Sequence, residues 1–412
     1  MSSLENSFYT TLEKQGPLPV DNVLVLNVLY SKDPSPEKIN VGIGSYKDDS
    51  GKYVLMRSVK QAYKDVSSDP NLEFDYNYQV GYLPFVNEIT LIVLGDFYDK
   101  LSNRTITVQT LGGTGAISLA FELVKRVDNC RKPVLIPEQT WVNHVNIANC
   151  LGFNCQKYPY WDHKKKWIDE EGMLSAINNA PDESFLVLHT CNHNPTGVDL
   201  SHEQWIKLGD IVKRKRHIVL LDTAYQGFGD GFKEDRFAID HFLSLGLPLF
   251  ISYSLSKIMG LYSERLGALV HVAPNENIAK ITETRLLNIT RTNYSTPPKM
   301  AAKVATRVLT DPELKKGWLE DLAKVRSRII DVREQVSNLL AELKTPGDWS
   351  HIKKQKGMFA YLGITEKQAK RLVEEMNIYM TSDGRVSISG LNSSNIKTFC
   401  SKLHKVVCET IE

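Results

Sequence analysis

Seven short apolar runs recur between residues 105 and 272, separated by longer mixed segments, and no other feature restricts the fold as tightly. They are Ile106–Leu111, Val134–Pro137, Phe153–Tyr158, Phe185–His189, Ile218–Asp222, Leu249–Ser254 and Leu266–Val272. Several are apolar throughout instead of alternating with polar residues, which is the pattern of strands covered on both faces. Strands alternating with helix-length segments predict an α/β fold, a mostly parallel seven-stranded sheet with helices on both faces. In such sheets ligands gather where strands end and loops begin.

The rest of the chain reads as a second unit. At 412 residues the length exceeds the usual single domain. After Pro297-Pro298 a helical stretch runs to about Leu309 and meets the breaker Thr310-Asp311-Pro312. A long charged helix follows near Leu319–Leu343, ended by Thr345-Pro346-Gly347. The tail reads strand (Gly357–Leu362), helix (Glu366–Met376), strand (Val386–Ser389) and helix (Ser394–Glu409). The expected organisation is a large domain over 50–318 and a smaller α/β domain formed by 1–49 and 319–412.

Composition narrows the function classes. Basic and acidic residues nearly balance, 50 against 48, which gives no reason to expect a nucleic-acid surface. The dense basic cluster Lys213-Arg214-Lys215-Arg216-His217 reads as a solvated helix end, where cations suit the dipole. Six cysteines without a Cys-x-x-Cys pair do not make a disulfide scaffold and fit free thiols in a reducing compartment. The first seven residues have neither a basic start nor an apolar stretch, and no apolar run approaches the ~18 residues of a membrane span. A cytoplasmic protein without membrane partners is the expectation.

Four segments carry chemistry. In Ser254-Leu255-Ser256-Lys257 and the following Gly260 to Gly267, a lysine sits between two buried strands, with Arg265 eight residues on. Such an amine can form a Schiff base with an aldehyde when burial and a nearby cation lower its pKa, while Ser254 and Arg265 share phosphate oxygens. A solvated loop lysine fits the same stretch. Asp222 and Tyr225 lie three apart at a strand end, where a carboxylate can keep a pyridine nitrogen protonated or simply cap a helix. Asn194-Pro195-Thr196-Gly197 is a turn signature, and the Asn194 amide can serve the turn or a ligand. Metal binding by His189, Cys191 and His193 is the weaker reading there, because the turn leaves no evident fourth ligand. Finally, Gly112-Gly113-Thr114-Gly115 joins a strand to a helix and lets backbone N–H groups approach a phosphate. It matches neither the dinucleotide fingerprint nor the P-loop.

In this order and spacing, His-Asn-Pro-Thr-Gly, Asp-x-Ala-Tyr-Gln-Gly and Ser-x-x-Lys-x-x-Gly-Leu-Tyr-x-Glu-Arg-x-Gly resemble the class I aminotransferases of fold type I, and most closely the aspartate aminotransferases. The resemblance runs from about Asp21 to the C-terminus. It implies pyridoxal 5′-phosphate bound through Lys257, which also shuttles the proton, and Asp222 paired with the pyridine nitrogen. Tyr225 and Asn194 would contact the 3′-oxygen, Trp141 would stack on the ring, and His144 would orient Asp222. Gly113, Thr114, Ser254 and Arg265 would hold the phosphate. Arg385 and the backbone of Gly44 would bind the substrate α-carboxylate, with Trp141 and Asn194 also in contact. Arg291 would reach in from the partner of a homodimer to bind a second carboxylate, and Tyr76 would contact the neighbouring cofactor, with Tyr78 as the alternative.

Two positions depart from the family pattern: Gly112 stands where serine is common, and Ile258 replaces the usual asparagine after the lysine. The implied activity is ping-pong transfer of an amino group between aspartate or glutamate and 2-oxoglutarate or oxaloacetate. An aromatic amino acid aminotransferase on the same scaffold, another pyridoxal-phosphate reaction such as elimination or decarboxylation, and a non-catalytic relative are the alternatives.

Overall fold

The computed structural model describes residues 7–18 and 22–410, and of Asn22 and Val23 the backbone alone. Met1–Asn6, where the absence of an export signal was noted, and Asp21, where the resemblance starts, lie outside the described residues. Seven strands form one sheet: β1 (Thr105–Leu111), β2 (Val134–Pro137), β3 (Cys155–Tyr158), β4 (Phe185–His189), β5 (Ile218–Thr223), β6 (Leu249–Ser254) and β7 (Leu266–Val272). Their spatial order is β1-β7-β6-β5-β4-β2-β3. All run parallel except β7, which is antiparallel to both neighbours.

Side-chain alternation explains why the central runs, such as β4 and β5, are apolar at almost every position. Val219 and Leu221 of β5 join the core on one face, with Trp205, Leu208 and Phe242. Leu220 points the other way, into a cluster with Phe121, Phe185 and Phe250. Both faces are therefore roofed by helices, and a polar residue at either parity would be buried. Helix α1 (Gly112–Asp128) supplies Phe121, whose ring meets Phe185 edge-on at 4.9 Å and Phe153 at 5.4 Å.

Two expectations shift at their edges. The third strand begins at Cys155, two residues later than predicted, because the Phe153 amide closes the preceding helix on Ala148 O and its ring enters the core. The long helix α2 spans Pro312–Glu342 and starts seven residues earlier than predicted. Asp311, read as part of a breaker, caps it by accepting the N–H groups of Glu313 and Leu314, and Pro312 occupies the first turn, where no amide donor is needed. Residue 318 therefore falls inside one continuous helix.

The N-terminal segment packs on the C-terminal part. Ile39–Asn40 pairs parallel with Ile378–Tyr379, and the Ser387 amide donates to Val41 O. Phe359–Tyr361 pairs antiparallel with Arg385–Ser387. The basic cluster ends the helix His202–Lys215, where Lys215 and Arg216 both reach Asp182. Among the described residues no helix is long and apolar enough to cross a membrane.

Candidate active site

A cavity of 310 Å³ opens at the C-terminal ends of β4, β5 and β6, beside the first turn of α1. Its lining brings together Gly44, Gly113, Thr114, Trp141, Asn194, Asp222, Tyr225, Ser254, Lys257 and Arg265. These residues span 222 positions of sequence; the sheet topology gathers most of them at one edge of the sheet, and Gly44 comes from the N-terminal segment.

At one pole stands Asp222, 8% exposed, one residue before the end of β5 and beside His189 of β4. His144 Nε2 lies 3.2 Å from Asp222 Oδ2, with its N–H off the line to the oxygen, so the contact is chiefly electrostatic. Behind it, His144 Nδ1 is 2.8 Å from the Thr140 hydroxyl, which is 3.2 Å from His189 Nε2. One consistent arrangement has His189 donating to Thr140 and Thr140 donating to His144 Nδ1, which leaves the proton of His144 on Nε2, the nitrogen nearer the carboxylate. Burial pushes His189 down to about 3, so it stays neutral. For Asp222, burial opposes ionisation, yet the His144 contact and the Lys257 charge hold its carboxyl below the usual carboxylate range.

Lys257 follows β6 and faces the same cavity, its Nζ 5.0 Å above the Tyr225 ring. Burial lowers its pKa below that of an ordinary lysine; Asp222 opposes the shift and Arg265 adds to it. A larger fraction of neutral amine follows, which is the form that attacks a carbonyl. Burial raises the pKa of the Tyr225 phenol, which keeps it a hydrogen-bond donor at neutral pH.

The other pole is built for an anion. Gly113 lies so close to β6 that a Cβ there would stand 3.0 Å from Ser254 Cβ. Gly112, at φ +71°, leaves room for a guanidinium: a Cβ would fall 2.7 Å from Arg265 Nη2. Arg265 donates to Tyr262 O at 2.9 Å, which sets its side chain over the helix start. The departure at Gly112 is thus matched by the position of Arg265. Ile258 also has a place: it is 1% exposed, packs in the core, and its carbonyl accepts the Trp318 indole N–H at 2.6 Å.

Arg385 borders the cavity from the C-terminal part, its guanidinium donating to Gly42 O at 2.8 Å and to Asn194 Oδ1 at 3.4 Å. The Asn194-Pro195 peptide is cis. The His189 and His193 rings lie 4.2 Å apart, but Cys191 turns to Thr190, and among the described residues no three His, Cys, Asp or Glu side chains are grouped so as to hold a metal.

Arg291, Tyr76 and Tyr78 lie elsewhere. They line a separate surface recess of 690 Å³ with Glu283, Ser295 and Thr296. Arg291 donates to Ser295 Oγ, and the two tyrosines are 85% and 68% exposed. Three neighbours of the cavity were not singled out from the sequence: Thr140, Tyr262 and Phe359. Tyr262 accepts the Tyr46 amide at 2.9 Å and stands inside the Gly-Leu-Tyr motif, which was signal enough to name it. Phe359 looks like any core residue of a short strand.

The donor set suits pyridoxal phosphate. N–H groups of a helix start, the Ser254 hydroxyl and the Arg265 guanidinium form a phosphate cradle, with a lysine of lowered pKa and an ionised aspartate on the same cavity.

Residues 36–403 match the family described as aminotransferase class I and II. The chain is 37% identical over 399 residues to the cytoplasmic aspartate aminotransferase of Saccharomyces cerevisiae, covering 95% of each. To the mitochondrial aspartate aminotransferase of Xenopus tropicalis it is 36% identical over 390 residues, 94% of this chain and 91% of that one. Its fold superposes with a TM-score of 0.92 on the aromatic-amino-acid aminotransferase of Burkholderia pseudomallei covalently bound to pyridoxal phosphate, at 35% identity, covering 95% of this chain and 98% of that one.

Proposed function

The chain belongs to the class I and II aminotransferases, and from that premise we propose that it is an aspartate aminotransferase, exchanging the amino group of aspartate or glutamate with 2-oxoglutarate or oxaloacetate in ping-pong fashion. The observation that carries the reading is that Lys257 and Asp222 line one cavity together with a phosphate cradle. Pyridoxal phosphate is the cofactor, and when bound it supplies a ring that accepts the electron pair left at the substrate α-carbon.

The chain's own residues do the rest. Lys257 Nζ takes the α-proton and returns it, as general base and then acid. The Asp222 carboxylate keeps a proton on the ring nitrogen, and His144 restrains that carboxylate. Tyr225 and Asn194, which line the cavity, would donate to the cofactor's 3′-oxygen, and Trp141 would stack against its ring. Gly113, Thr114, Ser254 and Arg265 hold the phosphate. Arg385 forks onto the substrate α-carboxylate, assisted by the Gly44 N–H. In this scheme the part formed by 50–318 holds the cofactor, and the part formed by 1–49 and 319–412 holds the α-carboxylate.

Arg291 and Tyr76 sit in the second recess of their own chain, which supports a homodimer in which each copy completes its partner's site. Arg291 then selects a second carboxylate on the substrate; for Tyr76, its neighbour Tyr78 is the alternative. Cytoplasmic residence is the reading favoured by the yeast relative, against the mitochondrial frog relative.

An aromatic amino acid aminotransferase is the second reading, favoured by the structural likeness to the Burkholderia enzyme. A panel of amino donors against 2-oxoglutarate separates the two. Aspartate should show the highest kcat/KM; tyrosine or phenylalanine above aspartate would overturn the assignment, and keto-acid-independent product formation would overturn amino transfer itself.

A further inference from the structure

Helix α2 carries an arginine that none of the chemistry above uses. Arg333 is 1% exposed, and among the described residues no carboxylate forms an ion pair with it. Its guanidinium instead donates to the carbonyls of Ile352, Lys356, Gly357 and Phe359 and to Gln355 Oε1, with 2.7 Å to Gly357 and 3.0 Å to Lys356. Burial pushes its pKa down to about 9, opposed by the charge of Asp199. A buried cation held by neutral acceptors, four backbone carbonyls and one side-chain amide, is an expensive way to fill a core, since an apolar side chain needs no such partners. What a planar fork does that an apolar residue does not is fix several carbonyls at once.

The segment it fixes presses on the substrate side of the cavity. Lys356 donates its amide to Gly197 O, and Gly197 has no room for a side chain, since a Cβ would lie 2.5 Å from Phe359 O. Gly357 abuts Asn192 in the same way. Residues 355–359 therefore lie directly against the turn that carries Asn194. At the end of the segment, the Phe359 ring lies 4.7 Å beneath the Arg385 guanidinium and meets Tyr225 edge-on at 6.0 Å. It also stands 2.9 Å from where a Cβ on Gly44 would be.

We propose that Arg333 is a positioning residue for the carboxylate-binding side of the site: it fixes the backbone of 356–359 and so seats Phe359 beneath Arg385 and against Gly44. The proposal rests on the reading of Arg385 as the α-carboxylate ligand. Every hydrogen bond from the Arg333 guanidinium ends on residues 352–359, whereas Asp222, Ser254 and Lys257 are set by β5 and β6. Loosening Arg333 should therefore weaken substrate binding and leave the cofactor in place.

The test uses the wild-type, Arg333→Lys and Phe359→Leu holoenzymes. The affinity of succinate, an inert dicarboxylate, is measured by calorimetry, alongside KM and kcat for aspartate and 2-oxoglutarate, cofactor absorbance and melting temperature. For both variants succinate Kd and both KM values should rise roughly tenfold or more, with kcat within about threefold and full cofactor occupancy. Unchanged succinate affinity in folded Arg333→Lys overturns the proposal. So does loss of cofactor, kcat and stability in step, which would make Arg333 a core residue only. If Arg333→Lys does not fold, Phe359→Leu decides by the same readings. A wild-type holoenzyme that itself fails to bind succinate refutes the reading of Arg385, a result distinct from a variant that behaves like wild type.

Discussion

Replacing Gly112 by serine should harm this protein. Gly112 sits at φ +71°, a conformation that costs a residue with a Cβ about 1–2 kcal/mol. The same Cβ would lie 2.7 Å from Arg265 Nη2 and 3.1 Å from its Cζ. Moving the tip of an arginine is cheap in itself, but this tip is one of the groups assigned to the cofactor phosphate. Displacing a hydrogen bond to a charged partner costs about 1.5–3 kcal/mol, which is roughly a ten- to hundredfold weaker Kd. The new hydroxyl returns at most part of that. The assay is a titration of apoprotein with pyridoxal phosphate for wild type, Gly112→Ser and Gly112→Ala, with thermal melts of each apoprotein to isolate the backbone cost. Both variants should melt lower and bind the cofactor more weakly. Cofactor binding by Gly112→Ser as tight as wild type, or tighter, would refute the argument that Arg265 occupies the space a side chain would need.

The remaining predictions concern assembly and pH. If each site is completed by a second copy, mixing unfolded Lys257→Ala and Arg291→Ala chains and refolding them together should restore roughly a quarter of wild-type activity, since half the dimers are hybrids with one intact site; no recovery would count against a shared site. Stability should fall as pH drops from about 6.5 toward 4. His271 and His351 are both pushed down to about 4 by burial, and His189 to about 3. The unfolded chain then binds more protons than the folded one in that window, and stability is lost on acidification. Asp199, raised to about 6 by burial, acts in the opposite sense, but one group stands against three. Urea melts at pH 7 and pH 5 check the sign, and equal or greater stability at pH 5 would contradict it.

Strand positions were legible because burial on both faces writes itself locally as an unbroken apolar run; β2, β4, β6 and β7 begin and end where those runs do. Phe153 misled the reading of β3 because a core aromatic looks the same in a strand and in the turn before it. Asp311-Pro312 misled the start of α2 because a residue pair that stops one helix is also well suited to begin another. Lys257, Asp222, Asn194 and Arg265 drew attention through motif spacing, and the fold then brings them to one cavity. Arg333 and Phe359 left no mark in the sequence. Their place depends on how the tail meets the 192–197 turn, an arrangement spread over more than 160 positions of chain. The recess holding Arg291 and Tyr76 was also beyond local reading, since its proposed complement belongs to another copy.

The proposed chemistry depends most directly on a bond between the Lys257 amine and the cofactor. Reducing the holoprotein with borohydride locks such a bond, and peptide mass spectrometry then locates it. One pyridoxyl group per chain should appear, on the peptide containing Lys257; a label on another lysine, or none, would refute that bond.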